Sequence, residues 1–330
     1  MNYILSSFRR KGLVGCCLLL VLLVGLYPSV GHAERLYKHI VLLGDPHLPG
    51  SNLANKKHAI AEINTWKDVD LVTVLGDMCA TTGTDKEYRY AKSFFSHLQQ
   101  KTVFIVGNHD YVFKDLTGES QGYSLGSPQS CSKKLANYIK TFDVKDLYHS
   151  RKLGPFRLVF LSLDSLAGNY YAQLSAKQLQ WLDWTLHQHP QEPTIIFCHA
   201  PVWGPEVLQI SPKMAHFMIQ PMAEVAGIIK KHRQVFLWAA GHVHFGAFNK
   251  MQQHPAMLFG GQVANIVACD IDGRSILQGS SLDLESHHNL WTRSLFLYEG
   301  RVEVKTYDHI KKEWIPELTK IIDVPDLSAR

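Results

Sequence analysis

Nine side chains of metal-ligand or acid–base type fall in five short blocks: Asp45-Pro46-His47, Gly76-Asp77, Gly107-Asn108-His109-Asp110, Cys198-His199 and Gly241-His242-Val243-His244. They supply three carboxylates, one amide and five imidazoles. Oxygen and neutral imidazole donors, with no thiolate implied, suit Mn, Fe, Zn or Ni better than a dedicated Ca or Mg cage. Two divalent transition-metal ions are therefore expected, with Mn or Fe favoured and Zn or Ni admissible. A pair of such ions about 3.5–4 Å apart can share a deprotonated water and clamp the oxygens of a phosphate ester during in-line displacement. The chemistry implied is hydrolysis of a small phosphoester.

Such donors converge only if the chain brings them to one end of a scaffold. Lys38 to Gly44, Leu71 to Gly76, Thr102 to Gly107, Thr194 to Cys198 and Val235 to Ala240 are short, almost wholly apolar runs, as strands buried on both faces read. Helical patterns lie between them, at about Leu53 to Trp66, Asp85 to Gln99, Ser175 to His189 and Ala215 to His232. Alternating strands and helices argue for an α/β layered fold with function on the loops beyond the strand ends. Gly44, Gly76, Gly107 and Gly241 sit before or beside the ligand-type residues, where a sharp turn is expected to need φ > 0. Ala256 to Phe259, Trp291 to Tyr298 and Arg301 to Asp308 carry β signals, with Glu299-Gly300 as a hairpin turn.

The five blocks in this order resemble the calcineurin-like metallophosphoesterase superfamily, whose pattern is DxH, GD, GNH(D/E), H and GHxH. A GNHD tetrapeptide alone arises by accident in a chain of this length roughly one time in a thousand. The resemblance implies a four-layer α/β/β/α sandwich of two mixed β-sheets flanked by helices. It assigns Asp45, His47 and His244 to one ion, Asn108, His199 and His242 to the other, and Asp77 as the bridge. It places His109 beside the leaving-group oxygen, where an imidazole donates a proton or stabilises charge. Asp110 would orient and cationise His109, or else cap its turn. Ala80 stands where purple acid phosphatases keep a tyrosine, and His47 where they use no histidine ligand. His109 stands where lipid A precursor hydrolases keep arginine. Leu163-Asp164-Ser165 with Leu174 to Leu182 resembles bacterial class III cyclic-nucleotide phosphodiesterases. Packing is the simpler account of that stretch, ahead of any substrate role, since Ser175 can cap a helix whose Leu179, Leu182 and Leu186 form a stripe. A scaffold that kept the fold without turnover, or a metal-binding protein, is the alternative function class.

Arg9-Arg10-Lys11, the apolar Gly12 to Tyr27 and the small residues of Gly31-His32-Ala33 read as an export signal cut after Ala33, or as an N-terminal anchor. Residues 1–33 are thus assigned to the signal or anchor, 34–310 to a metallophosphoesterase domain and 311–330 to a tail with room for a short helix. The formal net charge of +5 includes Arg9, Arg10 and Lys11, with no acidic residue before Glu34, so about +2 remains beyond them and nothing suggests a nucleic-acid surface. Beyond Ala33, Cys79, Cys131, Cys198 and Cys269 remain; three full disulfide pairings are possible, and Cys79 and Cys198 read as packed core rather than ligands. The Gly/Ser-rich stretch from Tyr111 to Cys131 is placed to cover the site. Tyr111, Phe113 and Trp203 offer rings for a flat group or for packing.

Overall fold

The computed structural model describes residues 35–116, 122–210, 212–244, 256–269 and 290–328; the proposed export segment lies outside them. The first sheet starts with β1 (Tyr37–Leu43), followed in the chain by α1 (Leu53–Ile63), β2 (Leu71–Val74), α2 (Asp85–Phe95) and β3 (Thr102–Phe104). The one-turn α3 (Asn108–Tyr111) and α4 (Pro128–Phe142) lead to β4 (His149–Leu153), β5 (Phe156–Leu161), α5 (Ala176–Gln188) and β6 (Thr194–Cys198). There follow α6 (Val207–Ile210), a 3-10 turn (Pro212–His216), α7 (Met222–Lys231), β7 (Val235–Ala240), β8 (Ala256–Leu258) and β9 (Val263–Val267). The chain returns through β10 (Trp291–Tyr298), β11 (Arg301–Asp308) and β12 (Glu313–Asp323).

The strands form two six-stranded mixed sheets, ordered β12-β11-β10-β1-β2-β3 and β4-β5-β6-β7-β9-β8. β1, β2 and β3 are parallel, as are β5, β6, β7 and β9, while β10, β11 and β12 pair antiparallel. Strand alternation produces the four layers directly, because successive side chains face opposite sides. In β1, Ile40 and Leu42 join the apolar cluster between the sheets, while Val41 and Leu43 face the helices. Leu158 and Phe160 against Val159 and Leu161 in β5, and Ile195 and Phe197 against Ile196 and Cys198 in β6, repeat the division. Each such fully buried side chain contributes about 1.5–3 kcal/mol.

Three of the outer helices, α2, α4 and α5, are capped by their own side chains. Thr84 and Glu87 form a reciprocal capping box at the start of α2. Ser175 caps α5 through Gln178 N at 3.2 Å, and Asp164 accepts from Ser175 N and Oγ at 2.6 and 2.7 Å. Leu179, Leu182 and Leu186 are buried, so this stretch packs as its spacing predicts.

Two expectations need correction. Residues 311–330 were assigned to a tail with a short helix, but 313–323 form β12, paired antiparallel to β11. Buried Leu318, Lys320 and Ile322 alternate with half-buried or exposed neighbours, a period-two pattern that Pro316 interrupts. The Gly/Ser-rich stretch ends where α4 begins: Ser127 is the N-cap and Pro128 occupies the first turn, a start signal that a reading based on composition misses. Among the described residues no helix is long and apolar enough to cross a membrane.

Candidate metal centre

Every ligand-type residue lies just past the carboxyl end of β1, β2, β3, β6 or β7. The turns there are unusual. Asp45, His47, Asp77, His242 and His244 have φ of 43, 42, 51, 68 and 47°, the left-handed region. For residues with a Cβ this costs about 1–2 kcal/mol each and persists only where the surroundings impose it. Of the four glycines expected to take positive φ, only Gly76 does, at 90°. Gly107 and Gly241 are needed for space: a Cβ on Gly107 would overlap Asp77 Oδ1, and one on Gly241 would overlap Asp45 Oδ2. The strain sits on the donors themselves, and the glycines let neighbouring turns close over them.

The turns are knitted by their own backbone. His47 N donates to Asp77 O at 2.8 Å, Gly241 N to His199 O at 2.8 Å, and His242 N to both oxygens of Asp45 at 3.0 Å. Two buried clusters of candidate donor atoms result, each with its atoms within 4.8 Å of one another. One contains Asp45, His47, Asp77 and His244; the other contains Asp77, His199 and His242. Asp77 belongs to both. Asn108 joins the second cluster, its Oδ1 lying 2.8 Å from His199 Nε2.

The donor set fits metal. His199 Nδ1 lies 2.7 Å from Leu75 O, and His242 Nε2 lies 3.2 Å from His216 O. A carbonyl only accepts, so these nitrogens carry the protons, and His199 Nε2 and His242 Nδ1 keep their lone pairs in the neutral rings. Histidine ligands commonly have the second nitrogen tied in this way. His47 Nε2 and His244 Nε2 face each other at 3.4 Å, close to the spacing of two nitrogens bound to one tetrahedral ion at about 2.0–2.1 Å. Asp77 Oδ2 is buried without a hydrogen-bond partner, a costly arrangement for a carboxylate unless a cation meets it.

Without a cation the charges press on each other. Burial works to raise the Asp77 pKa, but His199, His109 and His47 outweigh it and hold the carboxyl well below its usual range. Burial lowers the His199 pKa, yet Asp77 and Asp45 carry it up to about 9. His242, buried beside that cation, is pushed down to about 3. Bound metal ions would replace the protonated imidazole as the positive partner and invert this pattern.

His109 has a separate setting. Its backbone N donates to Asp77 Oδ1 at 2.8 Å, and its Nδ1 lies 2.7 Å from Thr81 O. Asp110, expected to orient the His109 ring or to cap its turn, does only the second. Its oxygens accept from Gly107 N at 2.8 Å and Cys79 N at 3.0 Å, which staples the turn after β3 to the turn after β2. Thr81 O is the orienting partner, a main-chain atom that no residue type announces. The carbonyls of Leu75 and His216 are equally silent in the sequence, and the Thr84-x-x-Glu87 capping box is the one sequence signal for the loop that holds Thr81.

Cys79, Cys131, Cys198 and Cys269 are buried, no disulfide links them among the described residues, and neither cluster contains a thiol. Cys198 faces the helix-side core, opposite to its neighbour His199. Tyr111 and Phe113 are buried packing residues, and Trp203 is half-buried against the core. Within the stretch expected to cover the site, Lys114 N bonds Ser124 O at 2.9 Å, and this return places the Tyr123 ring 4.7 Å from that of His109.

Comparison with known proteins agrees with this geometry. A probable glycerophosphodiester phosphodiesterase of Arcobacter nitrofigilis is 28% identical over 192 residues, 57% of this chain and 61% of that protein. A 3′,5′-cyclic-nucleotide phosphodiesterase of Nostoc sp. is 25% identical over 177 residues, 54% of this chain and 56% of that protein. The chain thus spans about three fifths of the length of the curated relatives it matches. A dimetal phosphatase from Danio rerio shares the fold with a TM-score of 0.55 at 15% identity, over 87% of this chain and 99% of that one. The profile of the calcineurin-like phosphoesterase family matches residues 38–246, from the start of β1 to just beyond His244, and the chain belongs to that family.

Proposed function

We propose that this protein is an exported, metal-dependent phosphoester hydrolase acting on small phosphodiesters or phosphomonoesters. The observation that carries the reading is the pair of buried donor clusters sharing Asp77. Asp45, His47 and His244 would hold one ion, and Asn108, His199 and His242 the other. Bound metal supplies the Lewis acidity that activates water and neutralises the phosphoryl oxygens. The protein's own part is positional. Thr81 O holds the proton on His109 Nδ1, so Nε2 is the nitrogen that exchanges a proton with the leaving oxygen. Two curated relatives named as phosphodiesterases favour diesters. Residues 9–33 support export, which a mature N-terminus after Ala33 in a cell fractionation would test.

The catalytic reading is tested with purified protein loaded with Mn, Fe, Zn or Ni and offered bis-p-nitrophenyl phosphate and p-nitrophenyl phosphate. Hydrolysis of either is expected, and a panel of cyclic nucleotides, nucleotides, phospholipids and phosphosugars then finds the natural ester. Inactivity with every metal would favour the scaffold.

A further inference from the structure

Glu87 carries more hydrogen bonds than its helix cap requires. It is buried, 7% exposed, at the third position of α2. In a capping box the glutamate returns only to the N–H of the N-cap residue, here Thr84, whose N and Oγ1 donate to Oε2 at 3.0 and 2.9 Å. The other oxygen reaches three residues further back: Thr81 N and Thr81 Oγ1 donate to Oε1 at 2.6 and 2.7 Å. Thr81 is the residue whose carbonyl holds His109 Nδ1 at 2.7 Å. The same loop is gripped from the opposite side by buried Lys134 of α4, whose Nζ donates to Thr82 O and Phe113 O at 2.6 Å each. Gly83, at φ 75°, rests so close to the catalytic turn that a Cβ would overlap Asp110 O. The loop is thus clamped by a carboxylate on its amide side, by an ammonium on its carbonyl side, and by direct backbone packing.

We propose that Glu87 is a positioning residue for the reaction, acting through Thr81 O to fix the His109 ring with its proton on Nδ1 and Nε2 turned to the leaving group. This rests on the reading of doubly protonated His109 as the group that passes its Nε2 proton to the leaving oxygen as a water oxygen bonds to phosphorus and the ester P–O bond breaks, which leaves the neutral ring with its remaining proton on Nδ1 against Thr81 O. A hydrogen bond from imidazole to a fixed carbonyl selects one tautomer and steadies the ring. Two donors from Thr81 to one carboxylate oxygen are charge-assisted and short, and they leave the Thr81 peptide little freedom to turn.

The test separates positioning from simple helix capping. Cleavage of methyl p-nitrophenyl phosphate expels nitrophenolate, which leaves well without a proton, whereas methyl phenyl phosphate expels phenolate, whose phenol has an ordinary pKa of about 10 and which needs one. In the metal-loaded protein, Glu87→Gln is expected to lower turnover of the phenyl ester roughly 10- to 100-fold and of the nitrophenyl ester less than about threefold. Thr81→Ala, which keeps the helix cap, should shift the ratio in the same direction. Thr84→Ala, which removes the cap but leaves the Thr81 link, should keep the wild-type ratio. Nitrogen-15 NMR of histidine-labelled, zinc-loaded protein, with His109 assigned from His109→Ala, should show the Nδ1–H tautomer in wild type and a mixture in Glu87→Gln. Equal losses on both esters, no loss on either, a Thr84→Ala ratio matching Glu87→Gln, or an unchanged tautomer would each overturn the proposal. If Glu87→Gln does not fold, Thr81→Ala carries both readouts. If wild type cleaves neither ester, the hydrolase reading fails, and the NMR comparison still decides the positioning.

Discussion

The turns after β2 and β3 each present one aspartate, and the pair shows how environment divides two chemically identical groups. Asp77 is 1% exposed and Asp110 0%. Asp77 has imidazoles around it and one oxygen, Oδ2, without a hydrogen bond, while both oxygens of Asp110 are taken by backbone N–H groups. Burial and the neighbouring Asp77 charge push the Asp110 carboxyl up to about 7, whereas the imidazoles hold Asp77 low. One carboxylate is left open to a cation and the other is spent on the backbone. A ligand and a staple therefore differ in what remains unsatisfied, since depth and residue type are the same.

That contrast is sharpest under substitution by asparagine. Asp77→Asn removes the charge common to both clusters. Metal affinity is expected to fall by more than the roughly 10- to 100-fold typical of losing a supporting partner, and activity with it; metal analysis after dialysis measures this. His109→Ala touches neither cluster of donors. Turnover of an ester with a poor leaving group should drop about 100-fold or more while metal content persists, and unchanged activity would remove His109 from the reaction. Asp110→Asn keeps the shape of the side chain but turns an acceptor into a donor against an N–H. It should cost about 1–3 kcal/mol of stability in urea unfolding, with metal still bound when supplied in excess. Equal metal loss in Asp77→Asn and Asp110→Asn would erase the distinction between ligand and staple.

The same two groups set opposite pH dependences in the metal-free protein. A carboxyl raised in the folded state binds its proton more tightly there than in the unfolded chain. Its contribution to stability is therefore present at low pH and lost as pH climbs from about 4 to about 7. Asp77, depressed in the fold, contributes above the ordinary carboxylate range and loses that contribution as pH falls below it. Between pH 4.5 and 7, metal-free wild type should lose stability through Asp110 with a slope of at most about 1.4 kcal/mol per pH unit. Asp110→Asn should flatten that part of the curve, read as the urea midpoint across pH.

The candidate donors were legible from the chain because metal chemistry demands side chains, and side chains are what a sequence states. Asp45, His47, Asp77, Asn108, His199, His242 and His244 were each named from their blocks, and the structure brings them together. The parallel strands were equally readable, since burial on both faces leaves a continuous apolar run. The antiparallel edge was harder. β12 carries Lys320 at an inward position and Pro316 mid-strand, so its alternation is broken where a reader looks for it. Hidden most completely were Leu75, His216 and Thr81, which act through carbonyl oxygens, and the strain that lies on five donors where glycines were expected to take it.

The smallest effect expected concerns the two cysteines within two residues of candidate donors, and it bounds the comparison from the other side. Cys79 N is held by Asp110, and its thiol is pushed well above the ordinary range by burial, then by the Asp110 and Glu87 charges. Burial likewise lifts the Cys198 thiol to about 12. A thiolate ligand needs the reverse, a setting that favours the charged sulfur. Cys198→Ala should therefore leave metal stoichiometry and turnover at the wild-type level, and lower stability by about 1 kcal/mol through lost packing. Cys79→Ala should behave alike, because the bond to Asp110 comes from its backbone. A fall in metal content in either variant would mean that sulfur helps hold the ions, and that position beside a ligand carries more information than the direction a side chain faces.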